Sequence, residues 1–255
     1  MQNNENDIKN ETIEGRNAVI EALRVGRSID KIFIAKGETD KTLGHIASKA
    51  REAGIVVVNA DRRKLDFMSV THAHQGVIAL VGVSEYCSVD DILAVAQERG
   101  EAPFVIVCDE VSDPRNLGAI IRSAECAGAH GVIIPKRRSA SLSFSVAKTA
   151  AGALEYVPVV RVANLPGTID ELKKRGLWIY GADMDGKCWC QQDYNGAVGL
   201  VIGSEGNGIG RLVREKCDFI VSLPMKGKIT SLNASVAAGI LMYEISRQRS
   251  GIISK

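Results

Sequence analysis

Aromatic residues are scarce in this chain, at 5% of 255 residues with only two Trp. A core built without them must rest on Ala, Val, Ile and Leu, a diet that suits helices packed on a sheet of β-branched strands. An excess of one charge is lacking too, since 32 Lys and Arg face 30 Asp and Glu for a net +2. A polyanion binder of this composition needs a local basic patch rather than an overall basic chain. No uninterrupted apolar run reaches the roughly 18 residues of a membrane span. The polar start MQNNENDIKNETIEG lacks the apolar middle of a signal peptide. Both absences point to a cytoplasmic protein with no membrane partner. Of six cysteines, Cys108 and Cys126 lie in apolar stretches, where a thiol behaves as a small hydrophobe. Cys188 and Cys190 form a close pair around Trp189, with no second pair and no nearby His. That is a poor metal site, so no metal is expected and reduced thiols are.

What is present is an ordinary globular balance, 45% hydrophobic and 24% charged, which excludes disorder, collagen and coiled coil for the whole chain. Residues 1–12 read as a disordered tail. From 13 to 84 the patterns alternate: a helix in GRNAVIEALRVG ended by Gly26, strand KIFIA, a helix closed by Gly54, strand IVVVNA, a helix with Asp61 as candidate N-cap, and the buried strand GVIALVGV. This is a small α/β layered domain. Residues 85–102 read as a linker carrying one helix. A second alternation fills 103–255, with apolar strands FVIVC, GVIIP, VPVVRV, LWIYGADM, GLVIG and FIVSLPM. Helices lie between most of them, SFSVAKTAAGALEY among them, and a long one closes the chain. Apolar strands separated by helices predict a mostly parallel sheet covered on both faces.

Three polar or Gly-rich segments follow such strands, where ligands bind in parallel α/β sheets. They are DPRNLGAIIRSA at 113–124, IGSEGNGIG at 202–210 and LPMKGKITSLNASVA at 223–237. Asn116 could simply cap a helix starting at Leu117. Arg122 stands in an otherwise apolar helix, either salt-bridged or, if the capping loop curls back, aimed with Asn116 into one pocket. Gly203 and Gly206 permit positive φ and close backbone approach to a flat ligand, although an ordinary glycine turn reads the same way. Glu205 is an acidic handle for a ligand amine or a helix N-terminus. Ser231, Asn233 and Ser235 open the last helix, where Ser is commonly just a cap.

Together, in this order, the three segments resemble the motifs N-x-x-x-x-x-R, G-x-E-G and S-L-N-x-S-x-A of the SpoU/TrmH branch of the SPOUT RNA 2′-O-ribose methyltransferases. The stretch from Gly15-Arg16-Asn17-Ala18 to His74-Gln75-Gly76 resembles the substrate-binding domain of members that methylate a guanosine of 23S ribosomal RNA. The resemblance spans residues 13 to about 249. It implies an α/β fold whose C-terminal parallel-sheet domain is tied in a deep trefoil knot, beside a small N-terminal α/β/α sandwich. It implies a homodimer paired through the knotted domains, S-adenosylmethionine as methyl donor and RNA as acceptor. Arg122 would be catalytic, with Asn116, Glu205, Ser231 and Asn233. Because a guanidinium stays protonated, Arg122 is better suited to stabilise a developing alkoxide than to act as a base. Gly203, Gly206, Leu223, Met225 and Leu232 would meet the cofactor. Arg16, Asn17, His74 and Gln75 would touch RNA, where a capped helix and a polar loop read equally well. Transfer RNA as substrate, or an RNA-binding assembly protein without catalysis, are the rival expectations.

Overall fold

The computed structural model describes residues 12–37 and 40–251. The expected tail therefore lies outside the described residues, except Thr12, which is in a strand. The chain divides into two compact units, Met1–Glu85 with Ser141–Ser145, and Tyr86–Ala140 with Val146–Lys255.

In the first unit the order is β1 (Thr12–Glu14), α1 (Arg16–Arg24), β2 (Ile29–Ala35), α2 (Lys41–Glu52), β3 (Val56–Ala60), α3 (Arg62–Met68) and β4 (Val77–Val81). The sheet runs β1-β4-β2-β3, with only β2 and β3 parallel. Successive side chains of a strand point to opposite faces, and β2 is apolar on both. Ile32 and Ile34 pack with Val19, Leu43 and Ile46 of α1 and α2. Phe33 and Ala35 pack with Leu65 and Met68 of α3. The result is an α/β/α sandwich. β1 was not legible in the sequence, because three residues are too few for a pattern. Asp61 occupies the N-cap position of α3 without capping it. It faces the Lys36 ammonium at 3.7 Å instead, whereas Asp40 does cap α2 by accepting from the Thr42 amide at 2.6 Å.

The second unit carries α4 (Val89–Arg99), β5 (Phe104–Cys108), α5 (Pro114–Cys126), β6 (Gly131–Pro135), α6 (Phe144–Ala150, in this unit from Val146 on), β7 (Val159–Val162), α7 (Leu165–Lys174), β8 (Trp178–Cys188), β9 (Val198–Ile202), α8 (Arg211–Arg214), β10 (Phe219–Ser222) and α9 (Ala234–Arg249). Its six strands are all parallel, in the order β10-β8-β9-β5-β6-β7. β5 and β9 are buried at every position, which explains their uninterrupted apolar sequences.

Three expectations need correction here. The helix expected over SFSVAKTAAGALEY breaks after Ala150, because Ala151 and Gly152 take φ of 50° and 90° and only a short 3-10 turn follows. Cys126 is exposed, on the outer side of α5, while Cys108 is buried and its thiol is pushed up to about 12 by desolvation. Asn116 is not a cap. Asp113 caps α5 by accepting from the Arg115 amide at 2.7 Å, and Pro114 opens the helix with its φ already fixed. Gly118 allows α5 to press on α6, since a Cβ there would stand 2.7 Å from the Val146 carbonyl oxygen. That approach fixes the first turn of α5, and with it Asn116.

Candidate functional site

The register Cys108↔Ile202 aligns the carboxyl ends of β5 and β9. The chain leaves β5 through Asp109, whose carboxylate accepts from the Gly210 amide at 2.7 Å and so ties the β5 exit to the Gly-rich loop after β9. Burial raises the Asp109 pKa, against the opposing effect of that amide. Gly203 permits the loop to fold back, because a Cβ there would sit 2.2 Å from the Gly208 carbonyl carbon. The expectation of positive φ at Gly203 and Gly206 fails, since Gly208 alone of the loop's glycines adopts it, at 62°. Gly206 has open space around it instead.

The loop presents Glu205 to two amides. Asn116 Nδ2 donates to Glu205 Oε1 at 2.5 Å. Asn233 Nδ2 donates to the same oxygen at 2.7 Å and to Asn116 Oδ1 at 2.9 Å. Asn233 is also the N-cap of α9, its Oδ1 accepting from the Ser235 and Val236 amides. One side chain from each of the three segments thus meets in one cluster.

Two cavities share a wall made of Ser204, Glu205, Gly206, Asn207 and Ala234. One, of about 310 Å³, is also lined by Gly203, Leu223, Met225, Ser231 and Leu232, and by Ala182, Asp183, Met184 and Leu241. The other, of about 350 Å³, is lined by Glu110, Ser112, Asp113, Asn116 and Arg138 among others. Sequence reading missed Asp183, Glu110 and Arg138. Each follows an apolar strand core, and that position was the available clue.

Arg122 is not brought to this cluster. With Asn116 already helical, no loop can curl back, and six residues of α-helix place Arg122 about 120° around the axis and about 9 Å along it. Its side chain is exposed and makes no ion pair among the described residues.

In the first unit, the Arg16 guanidinium is held by Asp40 at 2.6 Å and by the Gln75 carbonyl at 3.1 Å, and the Gln75 side chain accepts from the Arg16 amide at 3.2 Å. Asn17 is exposed. His74 is 3% exposed. Its Nε2 meets Asp66 at 2.9 Å and its Nδ1 accepts from the Gly76 amide at 3.0 Å. Both ring nitrogens are thus spent on the fold, and neither is open to RNA.

Neither cavity holds a metal-type donor set: no group of three or more His, Cys, Asp or Glu able to hold a metal ion occurs among the described residues. No helix among them is long and apolar enough to cross a membrane.

A parallel sheet with a two-chambered site at its strand ends defines a ligand-binding α/β domain, and comparison with known proteins narrows it. The family model described as the SpoU rRNA methylase family matches residues 103–243, and a model for RNA 2′-O ribose methyltransferase substrate binding matches 12–87. A protein of Bacillus subtilis named as a TrmH family tRNA/rRNA methyltransferase is 48% identical over 93% of this chain and 96% of its own. Among solved structures, the SpoU methyltransferase AviRb of Streptomyces viridochromogenes, in complex with AdoMet, aligns at TM-score 0.60 and 26% identity, over 94% of this chain and 90% of its own. A TrmH/SpoU tRNA modifying enzyme of A. aeolicus aligns at TM-score 0.53 and 27% identity, over 59% of this chain and 76% of its own. The chain belongs to the SpoU/TrmH family of RNA methyltransferases.

Proposed function

We propose that this chain transfers the methyl group of S-adenosylmethionine to a ribose 2′-hydroxyl of RNA, and that the acceptor is a guanosine of 23S ribosomal RNA. The observation that carries this reading is the Asn116–Glu205–Asn233 cluster in the wall between two cavities. A two-substrate transfer needs adjoining chambers that open to each other, and rigid polar groups on their shared wall can align the reactants where they meet. The chamber lined by Leu223, Met225, Leu232 and Leu241, with backbone at Gly203, the carboxylates of Asp183 and Glu205, and the hydroxyls of Thr230 and Ser231, fits a nucleoside joined to an amino acid, because apolar side chains and polar anchors line it together. Bound there, S-adenosylmethionine supplies an electrophilic methyl on a cationic sulfonium. Glu205 has one oxygen saturated by two amides, which fixes the carboxylate and leaves Oε2 to orient a ligand hydroxyl or amine.

Arg122 completes the reading as a positive charge for the developing alkoxide. Since it stands off the cluster within one chain, docked RNA or a second copy must bring charge and oxygen together. The homodimer belongs to this reading. Val236, Ile240 and Tyr243 form an exposed apolar stripe at helical spacing on α9, and a second copy would cover it. The trefoil knot belongs to it too, supported by residues 223, 225 and 230–232 sharing one chamber with the loop at 203–208.

Our preference for ribosomal over transfer RNA rests on the N-terminal unit, which matches a model for RNA 2′-O ribose methyltransferase substrate binding over residues 12–87, while the alignment with the tRNA-modifying neighbour covers 59% of this chain. We place residues 13–84 as the RNA-gripping domain and 103–255 as the catalytic domain, in the cytoplasm; the expected linker 85–102 carries α4, whose Ile92 is instead buried in the core of the second unit. The test is a map of 2′-O-methyl sites in ribosomal and transfer RNA from cells with and without the gene. Loss of one 23S guanosine site is the expected result. Loss of a transfer-RNA site would move the substrate, and an unchanged map would sink the reading.

A further inference from the structure

We propose that Arg138 grips a phosphodiester of the acceptor strand at the mouth of the chamber beside Asn116, with Glu110 holding its guanidinium in place. This inference rests on the RNA methyltransferase reading and assigns one chamber to RNA and the other to the cofactor.

The first observation is conformational. Glu110 and Arg138 are both non-glycine residues in the left-handed region, at φ 58° and 55°. Such residues are uncommon and persist where the surroundings hold them, often at ligand sites. These two lie 28 positions apart at the ends of β5 and β6, line the same chamber, and meet through Arg138 Nη1 donating to Glu110 Oε1 at 2.8 Å.

The second observation concerns charge. The chamber wall holds the carboxylates of Glu110, Asp113 and Glu205, and Arg138 is the cation in its described lining. Asp109 lies behind it, buried. A polyanion would be repelled by such a wall unless a cation faced it. Arg138 is 78% exposed, and Nη1 alone of its nitrogens has a partner among the described residues. Nη2 and Nε are left as a free edge, the geometry with which arginine takes a phosphate bidentately. Lys136 and Arg137 precede it in sequence and add positive charge at the same strand end.

The cofactor also carries an anion, its carboxylate, so the experiment separates the two sources. Wild type, Arg138→Gly and Arg138→Lys are compared for filter binding to an in vitro transcript of 23S ribosomal RNA across a salt series, for S-adenosylmethionine affinity by calorimetry, and for thermal midpoint. Glycine suits φ 55°, so Arg138→Gly should melt no lower than wild type. It should bind the transcript about tenfold or more weakly, with a salt slope smaller by about one ion, and keep its cofactor affinity. Arg138→Lys should recover the slope but not the full affinity, since an ammonium lacks the planar fork. Unchanged RNA affinity and slope in Arg138→Gly would overturn the assignment. So would lost cofactor affinity with RNA binding retained, which would make Arg138 a cofactor ligand. A wild type that binds S-adenosylmethionine but not RNA would overturn the functional reading itself, and this inference with it.

Discussion

Asn233 and Asn116 are 117 positions apart and hydrogen-bonded at 2.9 Å. Asn233 does two things with one amide: its oxygen caps α9 and its nitrogen binds the polar partition between the chambers. The two roles can be pulled apart by chemistry. Aspartate caps a helix as well as asparagine does, but it cannot donate, and it would set a second carboxylate against Glu205. Asn233→Asp should therefore melt within a few degrees of wild type while methyl transfer falls about a hundredfold. Asn233→Ala should lose activity too, and also about 1 kcal/mol of stability from the missing cap. Calorimetry beside a methyl-transfer assay checks both. An active Asn233→Asp enzyme would remove the partition from the mechanism.

Arg122 is exposed, so its removal should leave stability within about 0.5 kcal/mol. Arg122→Ala should bind S-adenosylmethionine normally, because no cavity lining includes Arg122, and should fail to transfer methyl. Arg122→Lys should fail as well. Single-turnover assays on cofactor-saturated enzyme read this directly. Full activity of the alanine variant would end its catalytic assignment.

The two glycines of the G-x-E-G segment should behave differently. A Cβ at Gly203 would collide with the Gly208 and Ile209 backbone, at 2.2 to 2.4 Å. Gly203→Ala should spread the loop, weaken cofactor binding and lower the melting temperature. Gly206 has nothing within 4 Å and no positive φ, so Gly206→Ala should fold normally and lose affinity only if the ligand passes over it. Cofactor titrations of the two variants distinguish a space reserved for backbone from a space reserved for ligand.

His130 makes stability depend on pH in a stated direction. It is fully buried, its Nδ1 accepts from the Phe104 amide at 2.9 Å, and its Nε2 meets Glu101 at 3.0 Å. Burial lowers its pKa, and Glu101 opposes that shift. The unfolded imidazole takes a proton near pH 6.5, before the folded one does. Stability is therefore fully present above that pH and declines as pH falls toward the folded value. His130→Asn keeps an acceptor for Phe104 and should flatten the decline, as read by denaturant unfolding across mildly acidic pH. A decline equal to that of wild type would place its cause elsewhere.

The sequence by itself determined which segments become strands. β5 and β9 are apolar at every position because both faces of a parallel sheet are covered, and that pattern is local. It also determined which loops carry polar groups, since Asn116 and Asn233 stand in short polar runs that open a helix and Glu205 is the one charge in a glycine-rich run. Only the tertiary structure decided that these three share one hydrogen-bonded cluster, because strand order and register are set by packing between distant segments. It decided that His74 serves the fold and that Arg122 turns away from Asn116. The first follows from burial of the His74 ring against Asp66 and the Gly76 amide, and the second from helix phase once Asp113, rather than Asn116, caps α5. It also decided the pairing of Glu110 with Arg138. No spacing rule links the ends of two neighbouring strands until the sheet brings them side by side.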